Sequence, residues 1–318
     1  MKILVTGGAG FIGSNLVESL LNSPRVSFVR VLDNLVTGHL RNIQEFIGNS
    51  KFEFLDGDIR DKDICIKACT GIDAISHQAA LGSVPRSIKD PITSHDVNVN
   101  GFLNMLEAAK ACNVKRFVYA SSSSVYGDLN ESPKVEKRVG KVLSPYAATK
   151  MTNELYAEAY SKNYEMQIIG FRYFNVFGPK QDPDGPYAAV IPLFIKAALT
   201  NSSPLINGDG TITRDFTPVT NVVQLNSNGV LKEMEGSFHH AINVACGQTT
   251  DLNTLWNMIK DIAGAATNAT HGPNRKGDIF FSLADITLAK EILDYLPDSD
   301  LKSSMQSTIA DYKNRFNF

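Results

Sequence analysis

Short apolar and β-branched runs alternate with longer stretches of helical period through the first half of the chain. The runs at Ile3–Val5, Phe28–Leu32, Phe52–Leu55, Ile72–Ser76, Phe117–Ser121 and Gln167–Phe171 predict strands. Between them, Ile12, Leu16 and Leu20 fall on one helix face, and Phe102, Met105, Leu106 and Ala109 on another. Strands alternating with amphipathic helices predict an α/β fold, a doubly wound parallel sheet spanning residues 1–174. After Arg172 the pattern loosens into the glycine- and proline-containing stretch 178–186 and then shorter helical pieces. This predicts a smaller, mixed α/β second domain over 175–318, discontinuous, with part of 215–245 returning to the first.

With 318 residues, 43% hydrophobic and 20% charged, the chain has room for a large and a smaller globular unit, and disorder or a coiled coil is excluded. The 31 basic and 33 acidic side chains leave a net charge of −2 and form no basic run, so neither nucleic acid nor an anionic membrane is an expected partner. Cys65, Cys69, Cys112 and Cys246 lack zinc or redox spacing and are read as reduced thiols. The first apolar run is too short for a secretory signal, and no run approaches a membrane span, so the expected location is the cytoplasm.

Val5-Thr6-Gly7-Gly8-Ala9-Gly10-Phe11-Ile12-Gly13 closes the first strand and opens the first helix. It satisfies G-x-G-x-x-G through Gly8, Gly10 and Gly13, and G-x-x-G-x-x-G through Gly7, Gly10 and Gly13. Glycines permit the tight turn and let backbone approach a pyrophosphate, which the helix N-terminus then attracts. Asp33 ends the second strand 20 residues beyond Gly13, where a carboxylate accepts hydrogen bonds from ribose hydroxyls and repels a 2′-phosphate. The first half is therefore read as a Rossmann domain that binds NAD rather than NADP.

Ser144-Pro145-Tyr146-Ala147-Ala148-Thr149-Lys150 carries Y-x-x-x-K behind a plausible N-cap and first-turn proline. Tyr146 and Lys150 then lie one turn apart on one face. A phenol titrating near ~10 needs a shift of about 3 units to act as a base at neutral pH, and an adjacent ammonium favours that shift. The serine run 121–124 ends the fifth strand, at the edge where doubly wound sheets hold ligands, and Ser122 is the candidate to hydrogen-bond a reacting oxygen.

Thr6–Gly13, Asp33-Asn34, Asp58-Ile59, His77–Ala80, Tyr119–Gly127, Tyr146/Lys150 and Arg172–Gly178 together resemble the extended short-chain dehydrogenase/reductase family over nearly the whole chain. Within it the sequence is most similar to the nucleotide-sugar 4-epimerases, above all those acting on UDP-N-acetylglucosamine. The resemblance implies reversible inversion at C4 of a UDP-hexose through a 4-keto sugar, with bound NAD recycled. Tyr146 is implied as base, Lys150 as holder of the nicotinamide ribose and Ser122 as its helper. Further cofactor contacts are implied at Gly7, Gly10, Phe11, Ile12, Gly13, Asn34, Gly38, Asp58, Ile59, Gln78, Ala79, Ala80, Asn98 and Tyr173. Substrate contacts are implied at Gly82, Ser83, Ser123, Ser124, Asn175, Ala189, Val190, Ile191, Arg214, Arg275, Asp278 and Ser282. A homodimer is implied as well.

Asn221 stands where related sequences carry Asp. Ser282 stands where epimerases confined to unacetylated sugars carry tyrosine, which leaves room for an N-acetyl group. Nucleotide-sugar 4,6-dehydratases place Asp-Glu where this chain has Ser123 and Ser124, and glucuronate decarboxylases need an acid at Ser124, so both are disfavoured. A non-catalytic NAD-binding regulator is disfavoured by the presence of Ser122, Tyr146 and Lys150. His77 is read as structural.

Overall fold

The computed structural model describes residues 1–184, 189–273 and 281–316. Its centre is a parallel sheet of seven strands among the described residues: β1 (Lys2–Thr6), β2 (Phe28–Asp33), β3 (Phe52–Asp56), β4 (Ala74–His77), β5 (Arg116–Ser122), β6 (Gln167–Tyr173) and β7 (Phe238–Val244). Their spatial order is β7-β6-β5-β4-β1-β2-β3, with every neighbouring pair parallel. The reversal of direction around β1 and β4 opens a crevice at the carboxyl ends of these two strands, the switch point where doubly wound sheets bind ligands.

Helices cover both faces. On one side, α1 (Phe11–Leu21) packs through Leu16, Val17 and Leu20 onto Val5, Val29 and Val31. On the other, α2 (Lys62–Cys69), α3 (Gly101–Ala111) and α4 (Pro145–Asn163) bury Cys65, Phe102, Met105, Leu106 and Ala157 against Leu4, Ile75 and Phe117. Ser144 caps α4, its hydroxyl accepting from the Ala147 N–H at 3.1 Å, and Pro145 occupies the first turn, where a missing N–H costs nothing. The helix α5 (Val219–Leu231) comes from the second half of the chain yet packs on α1 and on the sheet.

The six strands expected from the sequence are present, with β4 displaced toward the C-terminus. Ile72 is spent on the turn that closes α2, its N–H donating to Cys69 C=O, so pairing starts at Ala74. The seventh strand was not expected, because His239 and His240 interrupt its apolar character.

The second lobe has its own core. Phe177, Phe194, Ile195, Trp256, Ile259, Met305 and Tyr312 pack together between the helices Val190–Leu199, Leu252–Ala263 and Leu301–Phe316. Its short strand Thr213–Arg214 pairs in parallel with Phe281–Ser282 and in antiparallel with Thr250–Asp251. None of the described helices is long and apolar enough to cross a membrane. The four cysteines are unpaired, and no group of three metal-ligating side chains occurs among the described residues.

Candidate active site

A cavity of about 350 Å³ lies at the switch point, floored by the β1–α1 turn and walled by the ends of β2, β4 and β5 and the start of α4. The glycines of the turn are fixed by space as much as by conformation. Gly7 has φ +67°, and a Cβ there would sit 2.7 Å from Ala79 N. A Cβ on Gly13 would lie 2.1 Å from Gly7 O, whereas one on Gly10 would meet Gly7 O alone, at 3.1 Å. Gly7, Gly10 and Gly13 thus form the cradle. Gly8 packs on Val31 instead, its Cβ position 2.6 Å from that side chain, and it does not line the cavity. Gly10 caps α1 without any side-chain hydrogen bond, which leaves the positive end of the helix for an anion. This cradle fits a dinucleotide pyrophosphate.

Asp33 lines the cavity at the end of β2, where burial pushes its carboxyl up against the pull of two backbone donors, Leu35 N–H and Ala9 N–H. The two bonds measure 2.8 and 2.9 Å and leave each oxygen with further lone pairs. Opposite, Arg60 lies 2.7 Å from Asp58 and holds that carboxyl at about 2. Asn34 donates to the same carboxylate at 2.8 Å.

Of the implied cofactor contacts, two stand apart. Asn98, on a single π-helical turn (Asp96–Asn100), is buried and does not line the cavity. Its amide accepts from Leu81 N–H at 2.8 Å and donates to Leu81 C=O at 3.2 Å, so it clamps the loop that carries the wall, while Val97 does the lining. Gly38 lies behind the glycine turn, where a Cβ would stand 2.9 Å from Ala9 C and 3.0 Å from Asp33 Oδ2. The wall residues Arg60, Leu81, Thr93 and Val97 escaped the sequence reading. Only Arg60 carried a signal, two residues after Asp58.

Tyr146, in the first turn of α4, faces the end of β5, with its phenol near Ser122. Burial pushes this phenol up, with Ser122 opposing. Ser122 Oγ also accepts from Ser124 N–H at 3.1 Å. Lys150 Nζ lies 5.9 Å from the Tyr146 ring centre and donates to Ala120 C=O at 2.7 Å, and burial lowers it to about 8. In the protein alone the phenol is thus shifted upward by burial, opposite to the direction expected from an adjacent ammonium. Tyr173 is a second phenol in the cavity, but its hydroxyl donates to Gln78 Oε1 at 2.9 Å and accepts from Asn226 Nδ2 at 2.8 Å, which fixes it as neutral. His77 accepts or donates at Thr6 Oγ1, 2.8 Å away, and burial lowers it to about 3, so it stays uncharged.

Glu154, one turn beyond Lys150, was not singled out from the sequence although its spacing places it on the same face. Its carboxylate is bidentate to Arg172, at 2.9 and 2.7 Å, and accepts from Ser121 Oγ at 2.6 Å. The pair ties α4 to the ends of β5 and β6.

On the far side of the cleft, Arg214 and Ser282 are register neighbours on adjacent parallel strands. Asn175, with φ +34°, donates to Asp215 C=O at 3.0 Å. Gly82 continues the wall beyond Ala80 and Leu81, and Ser83, outside the cavity lining, caps a short helix through Arg86 N–H. Ala189 and Val190 sit at the start of the helix that follows, while Ile191 turns into the second core and presents no side chain to the cleft. Arg275 and Asp278, and the segment around Tyr187, lie outside the described residues. Asn221, at the departure noted above, exchanges both its amide groups with Asp298 backbone at 2.8 Å, a junction for which an amide suits better than a carboxylate.

Residues 3–245 match the model of the NAD dependent epimerase/dehydratase family. The chain belongs to that family. It is an NAD-dependent, extended short-chain dehydrogenase/reductase type of chain. It is 38% identical over 314 residues to a putative UDP-glucose 4-epimerase of Methanocaldococcus jannaschii, covering 98% of both chains. Among solved structures it is similar to a UDP-N-acetylglucosamine 4-epimerase from Methanobrevibacter ruminantium in complex with UDP-N-acetylmuramic acid, with TM-score 0.92, 35% identity and 99% and 98% of the two chains covered. It is similar as well to a UDP-glucose 4-epimerase from Thermotoga maritima with UDP-glucose, with TM-score 0.91, 32% identity and coverage of 99% and 100%.

Proposed function

We propose that this protein catalyses reversible C4 epimerisation of UDP-hexoses, and that it accepts the UDP-GlcNAc/UDP-GalNAc pair as well as UDP-Glc/UDP-Gal. The observation that carries the reading is the pairing of Tyr146 and Lys150 at one end of an NAD-type cavity, with Ser122 near the phenol at the end of β5. Bound NAD supplies a hydride acceptor and donor and a positive ring that favours phenolate. Tyr146 Oη takes the C4 hydroxyl proton and later returns it, with the nearby Ser122 Oγ placed to share that proton. Lys150, anchored on Ala120 C=O, has two remaining donors for the cofactor's ribose. The 4-keto sugar then turns about its diphosphate linkage before reduction from the other face.

The substrate side is assigned to Arg214 for the diphosphate, in the planar forked geometry that suits it, with Gly82, Ser83, Ser123, Ser124 and Asn175 around the sugar. The names of the similar proteins include both UDP-glucose and UDP-N-acetylglucosamine 4-epimerases, and Ser282 favours the wider range. It is a small, partly buried side chain beside Arg214. Ser123 and Ser124, lacking carboxyls, support epimerisation over dehydration. A homodimer is supported by the exposed Ile88, Ile92 and Leu155 beside a groove between the segment around Pro91 and α4.

The test is NMR of product mixtures from the four UDP-sugars, with wild type and Ser282→Tyr. Wild type should interconvert both pairs, and the tyrosine variant should retain only UDP-Glc/UDP-Gal, since overpacking is not tolerated in a shaped pocket. Turnover of the acetylated pair at wild-type efficiency in the variant would overturn the pocket assignment.

A further inference from the structure

Asp215 is fully buried, and its main chain bonds two of the three residues assigned above to the substrate. Its N–H donates to Ser282 C=O at 2.8 Å, and its C=O accepts from Asn175 Nδ2 at 3.0 Å. Arg214, the last residue of the strand, immediately precedes it. The Asp215 carboxylate accepts from Cys246 N–H and Gly247 N–H, each at 2.9 Å. A carboxylate held by two backbone donors is a demanding arrangement to bury, and simple packing of this segment would need none of it. The side chain thus holds the loop after β7, while the backbone N–H of the same residue holds the strand that carries Ser282.

We infer that Asp215 is a positioning residue for substrate binding: its carboxylate holds the loop after β7 while its backbone holds the Ser282 strand and Asn175, and so it fixes the spacing of Arg214, Asn175 and Ser282. The inference rests on the UDP-sugar reading. It concerns binding of the nucleotide sugar and not the chemical step, because Ser122, Tyr146 and Lys150 are held by other partners.

Asp215→Asn is nearly isosteric but sets an NH2 group against backbone donors that need an acceptor. With the NAD-loaded protein, the Kd for UDP by calorimetry and the KM for UDP-sugar should both rise at least about tenfold, with kcat changed less than about twofold and NAD affinity unchanged. Asp215→Glu, which keeps the charge but lengthens the arm, should recover part of the affinity. Asn221→Ala serves as a control for stability, since it breaks the bonds to Asp298 and to the Cys246 thiol but leaves the N–H bonds to the Asp215 carboxylate and the three substrate residues untouched. It should lower the melting temperature without moving Kd or KM. Hydrogen exchange on the wild type gives a measurement that needs no variant: UDP should raise protection at 245–248 together with 213–215. Wild-type affinity for UDP in Asp215→Asn, an equal Kd shift in Asn221→Ala, or protection confined to 213–215 would each overturn the inference. Wild type that binds no UDP at all would instead overturn the reading of the substrate.

Discussion

Glu154→Leu should be among the most damaging single substitutions outside the cofactor cradle. The Arg172 and Glu154 side chains are 5% and 8% exposed, so the guanidinium has almost no water to fall back on. In the variant it keeps Glu136 C=O at 2.9 Å and the Tyr126 ring at 5.0 Å, but loses both carboxylate bonds, while Ser121 Oγ loses its 2.6 Å acceptor. Leaving a buried charge uncompensated costs on the order of 3–5 kcal/mol, and the orphaned hydroxyl about 1 more. Pairing it with Arg172→Met removes that charge, and apolar replacements of buried pairs are often close to neutral. The double variant should therefore be more stable than Glu154→Leu alone, with a coupling energy above about 2 kcal/mol in a double-mutant cycle. Urea unfolding of the four proteins, each saturated with NAD, reads the effect as a shift of midpoint at constant slope. Additive losses, or a cost below about 1 kcal/mol for Glu154→Leu, would show that water or a local shift compensates the guanidinium and that the pair is not a structural tie.

Gly13→Ala should abolish NAD binding in calorimetry, because a methyl 2.1 Å from Gly7 O forces the turn to open; retention of cofactor would place the pyrophosphate elsewhere. Tyr146→Phe should keep the fold and the cofactor and lower kcat by about two orders of magnitude or more, measured by coupled assay. Near-normal turnover would move the base to another group. Lys150 should titrate near 8 in the cofactor-free protein. Since burial puts its folded value below its unfolded one, the folded state sheds this proton first, and stability should rise with pH between about 8 and 10.5 by up to about 3 kcal/mol relative to Lys150→Met. Parallel pH profiles for the two proteins would contradict it.

The sheet and the cradle were legible because each follows from a local rule. Continuous β-branched runs mark strands buried on both faces, and the glycine spacing reports a turn with no room for a Cβ. Ser144 and Pro145 announced the start of α4 in the same local way. What stayed hidden depends on partners distant in sequence. Glu154 looks like any helix-surface acid until Arg172 arrives from β6, and Asn98 looks like a wall residue until Leu81 claims both ends of its amide. Asp215 is the extreme case, since the partners of its carboxylate lie 31 and 32 residues away.

The return of α5 and β7 to the first sheet bears on how such enzymes are recombined. A break at residue 174 would strip β6 of the strand beside it and bare seven consecutive residues, most of them buried, as an apolar edge open to pairing with other chains. The lobes are consequently not interchangeable cassettes. A graft of sugar preference from one relative to another has to carry separate stretches on either side of Val219–Val244 and leave that span with its native partner, so chimeras cut at a single crossover should aggregate rather than acquire a new substrate.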